Sequence, residues 1–192
     1  MSWTAFHSRG ETLHAVVDTA NARHDGVLPM QVPGVAENFT DEIDLVGALL
    51  LKWHARLSGN IERALMREPM DLEAAVASAW RTTAEQLPGV RLVVDRCVSS
   101  PDTPEMASAM DRAREQEWIR LANAAGLASD QGPAAVEAGR RVEALAREGL
   151  APGLMLEGAT TADTPKVEST DEPGPQRTTE SFVDRIKAVL AA

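Results

Sequence analysis

The longest periodic pattern in the chain is an apolar stripe between Thr40 and Glu68. Its members recur every three or four residues, which is the spacing of one helix face: Ile43, Val46, Leu50, Trp53, Leu57, Ile61 and Leu65. Three more leucines lie on other sides of the same helix, at positions 45, 49 and 51. The pattern therefore predicts a central helix that is surrounded by other helices. Thr40 is expected to cap its start and Pro69 to end it. A kink or break near Gly59 is an alternative to one continuous helix.

The same periodicity predicts five further helices packed against the central one. They are expected at about 10–24, 71–87, 90–98, 104–125 and 134–148. The segment 90–98 is ambiguous because its β-branched residues also favour a strand, but a lone strand would have nothing to pair with. Between the first two long helices, Pro and Gly predict an ordered loop with one turn of helix at 35–38.

The character of the sequence changes after Gly149. Residues 150–178 hold four prolines and no aromatic residue, a composition that predicts a flexible linker. Residues 179–192 then predict a short amphipathic helix suited to docking on a partner, with five apolar residues on one face: Phe182, Val183, Ile186, Val189 and Leu190. The predicted organisation is an all-α bundle of about six helices (1–149), a linker and a terminal helix.

Composition narrows the class of protein further. Aromatic residues make up 4% of the chain and tyrosine is absent, which favours close-packed helices with an aliphatic core. A net charge of −10 argues against nucleic acid as a partner, since phosphate binding needs clustered Lys and Arg. We also expect no membrane span and no signal peptide. The single Cys97 fits a reducing cytoplasm.

Metal and cofactor binding find little support in the residue pattern. His14, Asp18, Asn21 and Asp25 share one face of the first helix, but such a stripe is typical of a solvated helix back. Di-metal bundles carry Glu-x-x-His pairs on two different helices, and this sequence holds a single such pair, Glu11 with His14. We predict no metal and no cofactor. Cys97 is interpreted as a small buried side chain.

A candidate pocket remains around His54, which borders the buried face of the central helix. The residues assigned to this pocket are His54, Trp53, His14, Asp18 and Glu62. One interpretation is a structural histidine that donates to a carbonyl or to Glu62; the other is a general base or ligand contact beneath Trp53. Four methionines, at positions 66, 70, 106 and 110, are predicted to be core.

Two functions compete on this basis. The first is a non-catalytic cytoplasmic interaction or regulatory protein that associates with itself or with a protein partner, since no catalytic motif occurs and a tethered helix suits helix-in-groove docking. The second is a small-molecule-binding or enzymatic bundle whose pocket lies near His54 and the first helix.

Overall fold

The computed structural model describes residues 3–150 and residue 154, with side chains from Ser8 onward. The described residues form seven helices and no strand, which confirms the all-α prediction. Their bounds are α1 Trp3–Arg23, α2 Val35–Asn38, α3 Glu42–Arg67, α4 Leu72–Gln86, α5 Pro88–Ser99, α6 Pro104–Ala124 and α7 Pro133–Glu148. Six of them are the long helices that the sequence predicts, although α1 begins at Trp3 and not near residue 10 as expected. The helix α2 is the expected single turn.

Side-chain caps fix where the helices begin. Asp41, one residue after the predicted cap, accepts a hydrogen bond from the Asp44 amide at 2.8 Å. Asp71 caps α4, and Thr103 caps α6 immediately before Pro104. Each cap satisfies an amide that has no partner within the helix.

The helix α3 continues through Gly59 without the break that the sequence left open. Asn60 is buried there, and its amide donates to Thr83 Oγ1 on α4 at 2.8 Å and to Gln86 Oε1 at 3.2 Å. These bonds join α3 to α4 and offset the weak helix propensity of a Gly-Asn pair.

The most enclosed helix is α5, the segment whose sequence was ambiguous. Seven consecutive residues of it, 89–95, are buried, because α1, α3, α4 and α6 all pack against it. The prediction that α3 is surrounded was wrong: Leu51 is 71% exposed, while Leu49 is fully buried and Leu50 only half-buried. The core therefore centres on α5, and α3 leaves one face open.

Two glycines let helices approach closely. A Cβ at Gly89 would lie 2.0 Å from the carbonyl oxygen of Ala20, where α5 crosses α1. A Cβ at Gly139 would lie 1.8 Å from the carbonyl oxygen of Trp118, where α7 crosses α6. Small residues at these crossings let the helix backbones approach closely, which suits a core that is poor in aromatic side chains.

Several apolar side chains lie elsewhere than expected. Met106 and Met110 are buried as predicted, but Met66 is 84% and Met70 96% exposed. Met30, in the loop before α2, is also exposed. Leu154 packs against the main core, whereas the predicted linker beyond it and the helix 179–192 lie outside the described residues.

A membrane-spanning segment was not expected. Across residues 3–150, no helix combines the length and the apolar character needed to cross a bilayer.

Candidate functional site: a buried polar network

A carboxylate lies in the middle of the bundle. Glu117 on α6 is 5% exposed, and four nitrogen atoms from three other helices contact it. Trp53 Nε1 at 3.1 Å and His54 Nε2 at 3.2 Å contact one oxygen, Oε2. Trp80 Nε1 at 3.0 Å and Arg91 Nη1 at 3.4 Å contact the other, Oε1. Glu117 thus holds α3, α4 and α5 to α6 through one side chain.

A second carboxylate continues the network through Arg91. Asp95, one turn further along α5, accepts from Arg91 Nε at 2.9 Å and Nη2 at 2.6 Å. Arg147 on α7 donates to both oxygens of Asp95, at 2.9 and 2.7 Å, and also to Glu143. Three carboxylates therefore face two guanidinium groups, and His54 is the remaining basic residue of the network.

Two tryptophans form the apolar side of the same network. The rings of Trp53 and Trp80 meet edge to face, with centroids 5.5 Å apart and planes at 74°. Arg91 lies over both rings, at 4.9 and 5.5 Å, and Arg147 lies 4.9 Å from Trp80. Stacking and cation–π contacts stabilise the Arg91 guanidinium, which is 4% exposed, and the half-buried guanidinium of Arg147.

The electrostatics favour ionised carboxylates. Burial by itself would raise the pKa of Glu117, but the His54 hydrogen bond, the Arg91 charge and the Trp80 hydrogen bond together lower it. Burial likewise opposes ionisation of Asp95, yet Arg91 and Arg147 bring its pKa below the ordinary value. Burial would lower the pKa of Arg147, but the hydrogen bond to Asp95 and the charges of Asp95 and Glu143 raise it above its ordinary value. The network is therefore a set of charged groups that depend on one another.

The arrangement is suited to holding helices together. Within the described part of the chain, every buried side-chain nitrogen or oxygen has a hydrogen-bond partner. A ligand that entered would have to displace one of these bonds, which costs about 1–3 kcal/mol for each group left unpaired. His54 is 18% exposed, and its side chain is engaged with Glu117.

The structure divides the predicted pocket residues among three places. His54 and Trp53 meet at Glu117, so the partner of His54 is Glu117 and not the predicted Glu62, which is exposed on α3. His14 and Asp18 pair with each other at 3.6 Å on the open face of α1, with side chains 72% and 65% exposed. No hydrogen bond or ion pair of the described residues joins that pair to His54.

The other candidate groups can be placed as well. Burial raises the pKa of the Cys97 thiol to about 11, with Asp102 and Glu42 adding to the effect, so the thiolate that a nucleophile needs is scarce at neutral pH. Among the residues that the structure describes, no three His, Cys, Asp or Glu side chains converge as a metal site would require.

Glu117 is the residue that sequence reasoning passed over. The periodicity placed it on the buried face of its helix, between Ala113 and Leu121, without assigning it a role. A charged residue on an apolar stripe was the available signal, because ionisable side chains are buried almost always with a partner. The Arg91–Asp95 pair gave a second signal, since residues four apart share a helix face.

Comparison with known proteins adds no relationship, because no protein-family model, curated protein or solved structure matches this chain.

The network predicts loss of stability in acid. Glu117 and Asp95 have folded pKa values below their ordinary values of 4.5 and 3.8. Their contribution is present above those values and is lost as the pH falls through the folded pKa. We expect the free energy of unfolding to decline below about pH 4.5, measured by urea denaturation between pH 3 and 7.

The control for this prediction is Glu117→Gln, which cannot titrate. Its acid decline should be shallower than that of the unchanged protein. Equal slopes in the two proteins would show that the network does not control acid stability.

Proposed function

We propose that this chain is a non-catalytic interaction protein of the cytoplasm that associates with itself. The observation that carries the proposal is a row of four exposed residues and the half-buried Gly59 along the open face of α3, which we call the outer stripe. Its members are spaced four, four, three and four apart: Leu51, Ala55, Gly59, Glu62 and Met66. Four of the five lack a charge.

The exposed side chains at the two ends of the outer stripe support this proposal. Leu51 is 71% and Met66 84% exposed, and Met70, in the turn that follows α3, is 96% exposed. Large apolar side chains that stand in water can serve as contacts for a partner, and methionine adapts its shape to one. Leu72 and Leu127, 38% and 42% exposed, add apolar surface beyond the turn.

The buried network supports a non-catalytic role. Its ionisable groups bind one another inside the bundle, and His54 is engaged with Glu117. A cytoplasmic location is part of the proposal, supported by the single free Cys97.

Sedimentation equilibrium of the full chain tests the proposal. We expect a dimer or larger assembly for the unchanged protein. In the double variant Met66→Ser, Met70→Ser the dissociation constant of this assembly should rise at least tenfold. The reason is that both side chains lie in water in a single copy and lose that exposure on association.

Met30→Ser is the matched control, because Met30 is an exposed methionine in the loop before α2. It should leave the assembly unchanged. The proposal would be contradicted if the unchanged protein were a monomer at all concentrations. It would also be contradicted if the Met66→Ser, Met70→Ser variant assembled as strongly as the unchanged protein.

A further inference from the structure

We propose that Met66 and Met70, which we call the methionine pair, are an oxidation site that controls the assembly. A peroxide converts their thioethers to sulfoxides in the free copy, and the oxidised copy no longer associates. This inference rests on the proposed self-association and deepens it, because it names the reaction that regulates the same surface. The reaction is reversible, since enzymes reduce methionine sulfoxide back to methionine.

The five methionines whose side chains the structure describes differ widely in exposure. Met70 is 96% and Met66 84% exposed, whereas Met30 is 36% exposed. Met106 and Met110 are 4% and 2% exposed, in an apolar cluster between α3, α5 and α6. Because an oxidant must reach the sulfur atom, the methionine pair should react first.

The place of the pair in the chain also favours access. Met66 lies in the last turn of α3, which ends at Arg67, and Met70 lies in the turn before Asp71 caps α4. Neither side chain belongs to an apolar core cluster of the described residues. A peroxide therefore reaches the pair in a free copy without any change of fold.

The oxidation of each methionine is a transfer of one oxygen atom from the peroxide. A lone pair of the thioether sulfur attacks one oxygen of hydrogen peroxide, and the O–O bond breaks. The departing hydroxide takes the proton of the transferred oxygen and leaves as water. The sulfur is oxidised by two electrons to a sulfoxide, and the peroxide is reduced.

The single cysteine of the chain is a poorer target for the same oxidant. Cys97 is half-buried. Burial raises the pKa of its thiol to about 11, and the charges of Asp102 and Glu42 add to this rise. Peroxides react with the thiolate, which is scarce at neutral pH in such a site. We therefore expect the methionine pair to react before Cys97.

Oxidation changes the chemistry of the surface at its most exposed positions. Met66 is the last member of the outer stripe, and Met70 follows it in the turn. A sulfoxide is polar, and burying it against an apolar partner without a hydrogen-bond donor is unfavourable. The oxidised copy should therefore associate more weakly.

Peroxide treatment of the full chain at neutral pH tests the selectivity. Peptide mapping by mass spectrometry follows the sulfoxide formed at each methionine as the dose rises. The methionine pair should react faster than Met106 and Met110 by roughly tenfold or more. Similar rates at the exposed and the buried methionines would overturn the inference.

Sedimentation equilibrium then measures the effect on assembly, at a dose that oxidises the pair and leaves Met106 and Met110 intact. The dissociation constant should rise by roughly tenfold or more. Treatment with dithiothreitol and two methionine sulfoxide reductases, one for each sulfoxide epimer, should restore it. If the assembly stays dissociated after this reduction, methionine oxidation is not the cause and the inference falls.

Met66→Leu, Met70→Leu is the matched control. Leucine keeps an apolar side chain at both positions but has no sulfur, so this variant should assemble like the unchanged protein and remain assembled after peroxide. An equal loss of assembly in the treated variant would place the effect at another residue and overturn the inference. Circular dichroism melting before and after treatment verifies that each protein stays folded.

The oxidation rate at different protein concentrations is a second measurement, which decides the matter if leucine itself weakens the assembly. Association and oxidation compete for the pair, so its oxidation should slow by roughly fivefold or more as the concentration rises through the dissociation constant. The rate at Met30, in the loop before α2, should not change. A rate at the pair that is equally independent of concentration would contradict the inference.

The two proposals can fail separately. If Met66→Ser, Met70→Ser dissociates the assembly while the oxidised protein stays assembled, the proposed function stands and the oxidation inference falls. If the unchanged chain is a monomer, the proposed function falls, and the control of assembly by oxidation falls with it.

Discussion

Replacing Glu117 with alanine is expected to lower the free energy of unfolding by about 3–5 kcal/mol. The variant leaves the indole N–H groups of Trp53 and Trp80 without acceptors and removes one of the two carboxylate partners of Arg91. Arg91 is 4% exposed and cannot turn to water. The loss of stability therefore comes mainly from buried N–H donors without acceptors and from the buried charge of Arg91. The contacts of the carboxylate itself contribute less.

Urea denaturation at neutral pH measures this loss. The matched control is Glu115→Ala, two residues away on the same helix but exposed, which should change stability by less than about 0.5 kcal/mol. Glu117→Gln should fall between them, because the amide keeps one acceptor but loses the charge. A loss below 1 kcal/mol for Glu117→Ala would mean that the network tolerates an empty centre.

Gly139→Ala is expected to cost about 3 kcal/mol or more, the upper range for overpacking. The added methyl would lie 1.8 Å from the Trp118 carbonyl oxygen, a backbone atom that cannot rotate away. The helices α6 and α7 must separate to admit it, which also disturbs the bond from Trp118 Nε1 to Glu143 Oε2. Thermal melting should show a marked fall in Tm.

Gly47→Ala is the control for that experiment. Gly47 is also inside a helix, but a Cβ there would have no neighbour within 4 Å. Alanine should stabilise α3 by about 0.5–1 kcal/mol, since glycine loses more backbone entropy in a helix. If both glycine variants were destabilised alike, the close crossing of α6 and α7 would not be the cause.

The positions of the helices could be predicted because their signals are local. Caps such as Asp71, breakers such as Pro69 and apolar residues every three or four positions act within a single helix. The ambiguous segment 90–98 was correctly predicted as a helix from a fold-level argument, the lack of a strand to pair with.

The candidate site could be predicted only in part. Periodicity placed His54 at the border of the buried face, and the structure finds it 18% exposed there. Its partner is separated from it by 63 residues, and no local pattern relates the two positions. The pairing of His14 with Asp18, by contrast, follows from their spacing within one helix.

The sequence by itself determined which segments are helices, where most of them start and stop, and which face of most of them is apolar, although α1 begins at Trp3 and not near residue 10. Only the tertiary structure decided that α5 lies at the centre, that α3 keeps Leu51 and Met66 in water, and that Glu117 joins four helices. Helical periodicity shows which residues of a helix form its apolar face. It does not show how many other helices pack on that face, because that number depends on the arrangement of all the helices. For the same reason a sequence can show that a charged residue lies on a buried face, but it does not show which residues pair with that charge.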